Sequence, residues 1–218
     1  MSVWAVLAAA GRGERLGGER PKAFARLGDL PLVAEPLRRL DESDWIDGIV
    51  VAAPPGWEQA CIVLAEEIGA GKVSAVVTGG ETRAASVRAG LAEVPEDAAV
   101  VLVHDAARPL VSDEVIGRVL APLSEGYDGA VPVVAIPDTV KRVLRGEVIE
   151  TVDREGLVIS QTPQAFVAGA LRRAAEAEGT DCASLVESQG GRIKAVEGDP
   201  RLLKVTSPTD LELLSAWL

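Results

Sequence analysis

Residues 3–22 read V-W-A-V-L-A-A-A-G-R-G-E-R-L-G-G-E-R-P-K, an apolar run that ends in three alanines and turns into a basic, glycine-rich loop. The apolar run is short enough for a buried strand. Glycine lets the backbone approach a ligand closely, and successive N–H groups in such a turn form an anion-binding concavity. The loop also concentrates arginine and lysine in a chain of formal net charge −11. The stretch therefore predicts a strand followed by a loop that binds a strongly anionic group such as a nucleoside triphosphate. A plain connector with solvated arginines is the alternative.

Two well-known phosphate-binding motifs do not fit this loop. No Gly-Lys-Ser or Gly-Lys-Thr occurs in it, so it is not a P-loop. Gly11, Gly13 and Gly17 are not spaced as in the dinucleotide-binding G-x-G-x-x-G. The next apolar run ends in A-A-P-P at residues 52–55, with no acid to hold a ribose hydroxyl. These observations exclude a nicotinamide-dependent dehydrogenase.

The composition indicates one globular domain with an aliphatic core. The chain has 218 residues, of which 48% are hydrophobic and 3% aromatic. This suits a parallel sheet that is buried on both faces, and we expect a single domain over residues 1–218. A sequence pI near 4.7 argues against binding to nucleic acid, which needs a basic surface.

Cysteine and histidine usage excludes a zinc site and favours a cytoplasmic protein. Cys61, Cys182 and His104 are too few to build a four-coordinate zinc site. We expect both cysteines to be reduced, as they are in the cytoplasm. The sequence contains no recognisable secretory signal and no run long enough to span a membrane, so we expect no membrane partner.

Strand-like apolar runs alternate with amphipathic windows as far as residue 136. The predicted strands cover residues 4–10, 48–53, 73–78, 100–104 and 129–136, and the predicted helices cover residues 32–40, 58–68, 83–92 and 113–123. This order predicts an α/β fold with a doubly wound sheet and right-handed crossovers. Ligands of such sheets bind at the carboxyl ends of the strands, where the loops 9–22, 78–83 and 104–109 lie.

The rhythm breaks after residue 136. Residues 141–149 hold two short alternating segments around Arg145-Gly146, and residues 157–160 read as a further strand. This predicts a β-hairpin arm at about 138–160. A projecting hairpin is marginal in water and exposes its edges. We therefore expect the arm to be exchanged in a homodimer, and folding back onto its own sheet is the alternative.

The remaining residues predict a return to helices. Helices are expected near residues 167–178 and 182–189, with a strand at 193–196 between the second of them and a last helix. Ser207 precedes Pro208 at the start of that last helix, which is the usual arrangement of a capping residue and a first-turn proline.

Two further loops carry groups suited to phosphates. Gly79-Gly80 precedes a helix that contains Ser86, and the N–H groups at such a helix start can bind an anion or a base edge. Asp105 can position Mg²⁺ or a ribose, and Arg108 can hold a phosphate, but the two can equally form an ion pair that ties their loop. We expect His104, next to an apolar strand end, to be a packed residue and not a base.

Lysine is scarce in this chain, whereas arginine is common. The lysines are Lys22, Lys72, Lys141, Lys194 and Lys204. If lysine served to solvate surfaces it would be frequent, so the few that remain are good candidates for specific roles. Lys141, on the arm, is as easily explained as a solvated residue.

Seven segments carry a family resemblance from end to end of the chain. They are A-A-A-G-R-G-E-R-L, G-G-E-T-R-A-A-S-V, V-H-D-A-A-R-P, I-P-D-T-V-K, Q-T-P-Q-A-F, T-D-C-A-S and K-V-T-S-P-T-D-L. On these motifs the chain closely resembles the 2-C-methyl-D-erythritol 4-phosphate cytidylyltransferase family of the non-mevalonate isoprenoid pathway. The resemblance implies a Rossmann-like nucleotidyltransferase fold and a homodimer that exchanges β-arms. It also implies CTP as co-substrate, Mg²⁺ or another divalent cation as cofactor, and release of pyrophosphate.

The resemblance also implies roles for individual residues. The CTP site would comprise Ala9, Ala10, Gly11, Arg12, Lys22, Gly80, Ser86, Asp105 and Ala106. Arg15 and Lys22 would stabilise the transition state, and Lys204 would act with them. The methylerythritol phosphate site would comprise Asp105, Arg108, Thr139 and Lys204, with Arg154 and Thr162 from the other subunit. Mg²⁺ would be held mainly by the CTP phosphates, with Asp105 as a possible ligand.

The chain departs from the family pattern at three places. Cys182 stands where the family often has an acid, Val158 stands where an aromatic residue is frequent, and residues 199–201 replace a turn that contains asparagine. These departures concern the packing around the site. The charged residues that the family motif requires are all present.

The implied reaction suits an active site without a catalytic histidine or serine. A phosphate monoester with a second pKa of about 6 is mostly dianionic at neutral pH, so it attacks without a general base. The difficulty lies in bringing two anions together, which fixed cations and Mg²⁺ achieve by positioning and electrostatics.

Three alternative functions remain open on the sequence. A ribitol 5-phosphate cytidylyltransferase shares most of the motifs, although the Asp105 to Arg108 segment favours methylerythritol phosphate. A hexose 1-phosphate nucleotidyltransferase fits the fold, but the Q-T-P-Q segment and the arm fit it poorly. A nucleotide-binding regulator without activity would not require Arg15, Lys22 and Lys204 together.

Overall fold

The central sheet of the computed structural model contains eight of the strands found in the described residues, which are 2–11, 13, 20–175 and 181–218. The strands in chain order are β1 (Val3–Ala8), β2 (Arg26–Leu27), β3 (Leu30–Pro31), β4 (Gly48–Ala53), β5 (Val73–Thr78), β6 (Val100–Asp105), β7 (Gly129–Ala135), β8 (Val140–Leu144), β9 (Glu147–Val152), β10 (Val158–Ser160), β11 (Gln164–Val167) and β12 (Ile193–Glu197). The helices are α1 (Ala34–Glu42), α2 (Glu58–Glu67), α3 (Arg83–Ala92), α4 (Asp113–Leu120), α5 (Ala168–Ala174), α6 (Cys182–Ser188) and α7 (Pro208–Ser215).

The strand order in the sheet is β10-β7-β11-β6-β1-β4-β5, with β12 also paired to β7. Strands β6, β1, β4 and β5 are parallel to their neighbours within this group, whereas β11 runs antiparallel between β6 and β7. Every residue of β4 and β6 is buried, as expected for parallel strands that are covered on both faces. The sheet is therefore mostly parallel and Rossmann-like, which confirms the predicted fold class.

Two apolar clusters cover the two faces of the sheet. On one face, Leu7 of β1 packs in a cluster with Leu37 of α1 and Ile116 of α4. On the other face, Val6 of β1 lies in a cluster with Leu91 of α3 and Leu171 of α5. Because successive strand residues point to opposite faces, one strand anchors both helical layers. This three-layer arrangement fixes the carboxyl ends of β1, β4, β5 and β6 at one edge, where the candidate site lies.

The segment 164–167 is the main error in the predicted element order. No strand is predicted here, but the segment forms β11, with Gln164 buried at its start. The chain needs an antiparallel strand here because β11 fills the space between β6 and β7. The two-residue strands β2 and β3 are not predicted either. At element ends, α4 stops at Leu120 and continues as a 3₁₀ turn, Ala121–Glu125, and the predicted helix end at residues 176–178 lies outside the described residues.

The last helix begins as predicted. Ser207 Oγ accepts the N–H of Asp210 at 3.3 Å, and the Asp210 carboxylate accepts the N–H of Ser207 at 2.8 Å. This reciprocal pair is a capping box.

The arm is a two-stranded hairpin of β8 and β9 that leaves the central sheet between β7 and β10. Its turn is formed by Arg145 and Gly146, which both have positive φ, at 50° and 86°, as a two-residue hairpin turn of type I′ requires. The segment 158–160, which we expect within the arm, instead forms β10 and pairs with β7 of the central sheet. No helix among the described residues is long and apolar enough to cross a membrane.

Candidate active site

A cleft of about 370 Å³ opens at the carboxyl ends of β1, β5 and β6. Its lining comprises Ala8, Ala9, Ala10, Gly11, Lys22, Ala23, Leu32, Pro55, Gly79, Gly80, Glu81, Thr82, Arg83, Ser86, Asp105, Ala106, Ala107 and Lys204. This is the edge at which ligands of open α/β sheets bind. The three loops that the sequence predicts to meet here do meet.

Gly13, in the glycine-rich segment after β1, lies directly against Lys22. Gly13 has a φ of 68°, and a Cβ built on it would lie 2.4 Å from the Cβ of Lys22. Only a residue without a side chain permits this approach. Lys22 begins a short 3₁₀ turn directly after Pro21 and lines the cleft together with Gly11. The loop and the lysine are thus presented to the same space.

The second glycine turn packs directly on the first loop. A Cβ on Gly79 would lie 2.3 Å from the Cβ of Ala10, and the N–H of Gly79 donates to the carbonyl of Ala53 at 2.8 Å. Ser86 Oγ accepts the N–H of Gly80 at 3.1 Å and donates to the carbonyl of Thr82 at 2.9 Å. Ser86 therefore holds the turn from within α3. A Cβ on Gly79 would also lie 3.1 Å from Ser86 Oγ, so position 79 has no room for a side chain.

Asp105 lies between two cations at the end of β6. Oδ1 accepts from Arg83 Nε at 2.7 Å, and Oδ2 accepts from Lys204 Nζ at 2.8 Å. Burial alone would raise the pKa of this carboxyl, but the charges and hydrogen bonds of Arg83 and Lys204 outweigh it and hold the pKa well below its usual range. Asp105 is therefore ionised at every physiological pH. One carboxylate against two cations leaves a positive balance at this wall of the cleft.

His104 and Thr162 form a buried hydrogen-bond chain behind Asp105. His104 Nε2 lies 2.9 Å from the carbonyl of Arg108, which accepts only, so Nε2 carries the proton. Nδ1 then accepts from Thr162 Oγ1 at 3.1 Å, and the same oxygen accepts the backbone N–H of Asp105 at 3.1 Å. Burial lowers the pKa of His104 to about 4, so the ring is neutral. His104 is a packed residue that fixes the Asp105 loop, as the sequence predicts.

Thr162 corrects one prediction. The family resemblance implies that it reaches into the site of a second subunit, but here it is buried and bonded to residues of its own chain. The register of β11 explains the difference: Gln164 pairs antiparallel with Val103, which brings the residues just before Gln164 alongside Asp105.

Arg108 is buried beneath the cleft and ties the last part of the chain to it. Its Nη1 donates to the carbonyl of Leu202 at 2.6 Å and its Nη2 to the carbonyl of Ser160 at 3.4 Å. Among the bonds of the described residues, the Asp105–Arg108 ion pair that the sequence left open does not occur. Nε of Arg108 is buried without a hydrogen-bond partner in this part of the chain. Arg108 thus positions the segment that carries Lys204 and retains one unused donor.

Thr139 and Arg154 lie at the base of the arm and are exposed. Arg154 Nη1 donates to the carbonyls of Ile136 and Pro137. Neither residue belongs to the described lining of the cleft in its own chain. The single chain therefore does not bring them to the other predicted site residues.

The other predicted residues fall into two groups. The predicted residues that line the cleft together are Ala9, Ala10, Gly11, Lys22, Gly80, Ser86, Asp105, Ala106 and Lys204. Arg12 and Arg15 lie outside the described residues. Arg83 is a residue that the prediction missed, although it follows the second glycine turn, because its partner Asp105 comes 22 positions later.

The described residues do not form an all-protein metal site. No group of three or more carboxylates, histidines or cysteines with metal-ligand geometry occurs within them. Asp105 is the buried carboxylate of the cleft, and both of its oxygens already bind cations. This donor set fits Mg²⁺ that is carried by substrate phosphates with at most one protein carboxylate, as is common for this ion.

Comparison with known proteins identifies similar chains along the whole length. The family model described as 2-C-methyl-D-erythritol 4-phosphate cytidylyltransferase matches residues 3–218. The enzyme of that name from Nocardia farcinica is 43% identical over 100% of this chain and 94% of its own. The one from Frankia casuarinae is 44% identical over 99% of this chain and 81% of its own. The crystal structure of the Thermus thermophilus protein of that name superposes with a TM-score of 0.80, at 34% identity over 97% of this chain and 96% of its own.

Proposed function

The chain belongs to the 2-C-methyl-D-erythritol 4-phosphate cytidylyltransferase family, and we propose that it transfers the cytidylyl group of CTP to 2-C-methyl-D-erythritol 4-phosphate. The products are 4-diphosphocytidyl-2-C-methyl-D-erythritol and pyrophosphate, in the non-mevalonate route to isoprenoid precursors. The observation that carries this proposal is the cleft itself. Two glycine turns that suit a nucleotide face a wall where Arg83 and Lys204 outnumber Asp105.

The chemical step needs positioning and no proton transfer. A phosphate oxygen of methylerythritol phosphate attacks the α-phosphorus of CTP, the bond from that phosphorus to the bridging oxygen breaks, and pyrophosphate leaves with the electron pair. The attacking phosphate is mostly dianionic near pH 7. The one histidine of the chain is buried and neutral behind the site, in agreement with a mechanism without a general base.

The cations have separate roles in this proposal. Lys22, beside the first glycine loop, together with Arg15 would contact the α- and β-phosphates and stabilise the charge that develops there. Lys204 would align the incoming phosphate, and Arg108 would support it from below through Leu202. Loss of one such contact is expected to lower kcat by about 10²- to 10³-fold, by comparison with the loss of an oxyanion donor.

We further propose Mg²⁺ or another divalent cation as cofactor. Bound together with CTP, such an ion would supply positive charge that offsets the charge of the triphosphate. Asp105 is the buried carboxylate of the cleft that would serve as a ligand, but only if Arg83 or Lys204 gives up its carboxylate oxygen. Binding through the phosphates alone requires no such exchange.

A homodimer that exchanges arms would complete the site. The hairpin exposes Val143, Leu144, Val148 and Ile149 by more than half of their surface, which favours a partner that covers them. Thr139 and Arg154 at its base lie outside the cleft of their own chain. In the dimer they would instead contact the methylerythritol phosphate of the other subunit.

The free, buried cysteines suit a cytoplasmic location.

One assay tests the proposed function against its nearest alternative. Pyrophosphate release is measured with each of the four ribonucleoside triphosphates, against methylerythritol 4-phosphate and ribitol 5-phosphate in parallel. We expect release with CTP and methylerythritol phosphate. Release with ribitol phosphate alone would assign the chain to the alternative, a ribitol 5-phosphate cytidylyltransferase. No release with any pair, in a folded protein that binds CTP, would indicate a nucleotide-binding regulator.

A further inference from the structure

Arg83 forms an ion pair with Asp105, the buried carboxylate of the cleft. The roles proposed above for the individual cations do not include Arg83. We propose that Arg83 is a positioning residue that neutralises Asp105, so that the charge of Lys204 remains available to the incoming phosphate. This inference rests on the proposed function, because it concerns the same site.

The geometry separates the two cations on one carboxylate. Arg83 Nε binds Oδ1 and Lys204 Nζ binds Oδ2, so neither displaces the other. The side chain of Asp105 is 10% exposed, that of Arg83 is 23% exposed and that of Lys204 is 43% exposed. The most accessible of the three side chains is therefore that of Lys204, and the side chain of Arg83 is about half as exposed.

The charges explain why this arrangement matters. With Arg83 present, one negative and two positive charges leave a surplus of one positive charge on these three residues, and the other charged residues of the described lining, Lys22 and Glu81, offset each other. Without Arg83, Asp105 and Lys204 would form a neutral pair, and an approaching dianion would meet no surplus of positive charge from them. Fixed charges of one sign in a cleft raise the local concentration of oppositely charged substrate. Arg83 thus acts on the phosphate through Asp105 and Lys204.

Among the described residues, Asp105 is the ionised partner of the Arg83 guanidinium, and its other contact is a neutral group. Nη1 lies 3.5 Å from the sulfur of Cys182, at the start of α6. Burial raises the pKa of this thiol more than the nearby guanidinium lowers it, so the thiol stays neutral. Nη2 is buried without a hydrogen-bond partner within the described chain. Cys182 therefore anchors the guanidinium without competing for its charge, and the ion pair of Arg83 within the described residues is with Asp105.

A merely structural role predicts a different result. If Arg83 only ties α3 to β6, its removal lowers the melting temperature and leaves the affinity of the folded protein for phosphate unchanged. If it compensates Asp105, its removal lowers that affinity, and removal of the Asp105 charge as well restores it.

The experiment compares Arg83→Met, Arg83→Lys and the double variant Arg83→Met/Asp105→Asn. Arg88→Met is the matched control, because Arg88 is an exposed arginine on the same helix. Binding of inorganic phosphate is measured by calorimetry, which needs no turnover, and folding is checked by circular dichroism. Steady-state kinetics with CTP and methylerythritol phosphate follow for the single variants.

We expect Arg83→Met to weaken phosphate binding by about tenfold and to raise KM for methylerythritol phosphate more than KM for CTP. Arg83→Lys and the double variant should recover most of the phosphate affinity, and Arg88→Met should match the unmodified protein. A double variant that binds phosphate as weakly as Arg83→Met, or a lysine variant as weak as the methionine variant, would overturn the inference. If Arg83→Met does not fold, the lysine and double variants decide. Absence of cytidylyl transfer in the unmodified protein would contradict the proposed function only, since the phosphate titration is read independently.

Discussion

The ammonium of Lys204 lies 2.8 Å from Oδ2 of Asp105, although 99 positions separate the two residues in the chain. Two hydrogen bonds to backbone carbonyls hold the segment around Lys204 against the loop after Asp105. Arg108 Nη1 donates to the carbonyl of Leu202, and the N–H of Val205 donates to the carbonyl of Ala107 at 2.8 Å. The last segment of the chain is thus fastened across the loop that follows β6.

Replacement of Asp105 tests how much this fastening depends on charge. Asp105→Asn keeps the shape but leaves Arg83 and Lys204 without their carboxylate. Because both cations are partly exposed, we expect a loss of about 1–2 kcal/mol in the free energy of unfolding, measured by urea denaturation at pH 7. The pKa of Asp105 is lowered on folding. Its contribution to stability is therefore fully present above the unfolded pKa and is lost as the pH falls from that value through the lower folded pKa. The two proteins should therefore converge in strong acid. Asp113→Asn, an exposed first-turn residue of α4, should change stability at pH 7 by less than half as much.

The buried histidine predicts a pH dependence of stability. The pKa of His104 is about 4 in the folded protein and about 6.5 in an unfolded chain. Between these values the unfolded state binds more protons, so the free energy of unfolding falls as the pH decreases through this window. The decrease due to His104 reaches about 3 kcal/mol at pH 4. His104 is the one histidine in the chain, so the comparison with His104→Gln isolates it. Urea denaturation from pH 7 to 4 should give a shallower dependence for the variant, and equal slopes would refute this assignment.

The contact of Gly79 with Ala10 predicts that a single methyl group disturbs the cleft. In Gly79→Ala the new Cβ meets Ala10 at 2.3 Å and the carbonyl of Ala53 at 3.0 Å, so the two loops must separate. We expect a cost of about 1–3 kcal/mol and weaker binding of CTP by calorimetry. Gly71→Ala is the control, since nothing lies within 4 Å of its Cβ. The control should change stability by less than about 1 kcal/mol.

The exposed hairpin predicts self-association that charge can abolish. Leu144 and Val148 are 59% and 61% exposed in the single chain. If a second copy covers them, Val148→Lys and Leu144→Lys should shift the protein from dimer to monomer in sedimentation velocity, because the ammonium would have to be buried. Val63→Lys, on α2 and 41% exposed, should leave the dimer intact. A monomeric unmodified protein at all concentrations would contradict arm exchange.

Mixed dimers test whether the arm acts in the site of its partner. Lys22→Ala and Arg154→Ala subunits are each expected to have little activity alone. If Arg154 serves the other subunit, a mixed dimer contains one intact site, and equal amounts of the two variants should recover about a quarter of full activity after exchange. Pyrophosphate release measures the recovery. If Arg154 serves its own chain, mixing restores nothing.

Local patterning was sufficient to predict most elements of the sheet. Parallel strands buried on both faces read as continuous apolar runs, so β4 lies where the sequence predicts it and β6 extends one residue further. The edge strand β5 is partly exposed but also lies at its predicted position, because most of its residues are apolar. Strand β11 was not predictable in this way. It has four residues, begins with the buried Gln164 and owes its conformation to pairing with β6 and β7.

The site shows the same division between local and long-range information. The glycine turns and Lys22 are local motifs, and the rule that ligands bind at strand ends brings them to one edge. The pairing of Arg83 with Asp105 and the position of Thr162 behind its own Asp105 depend on how α3 and β11 pack. No spacing within the sequence encodes these contacts, so only the fold reveals them.

The attachment of Leu202, Lys204 and Val205 to the Asp105 loop has a consequence for synthesis on the ribosome. A nascent chain can build β1, β4, β5 and β6 and both glycine turns before residues 202–205 have left the exit tunnel. Until then Asp105 has Arg83 as a partner, but the lysine is missing. The positive charge that is proposed to attract the second substrate is therefore in place only after residues 202–205 have been synthesised and have packed against the Asp105 loop.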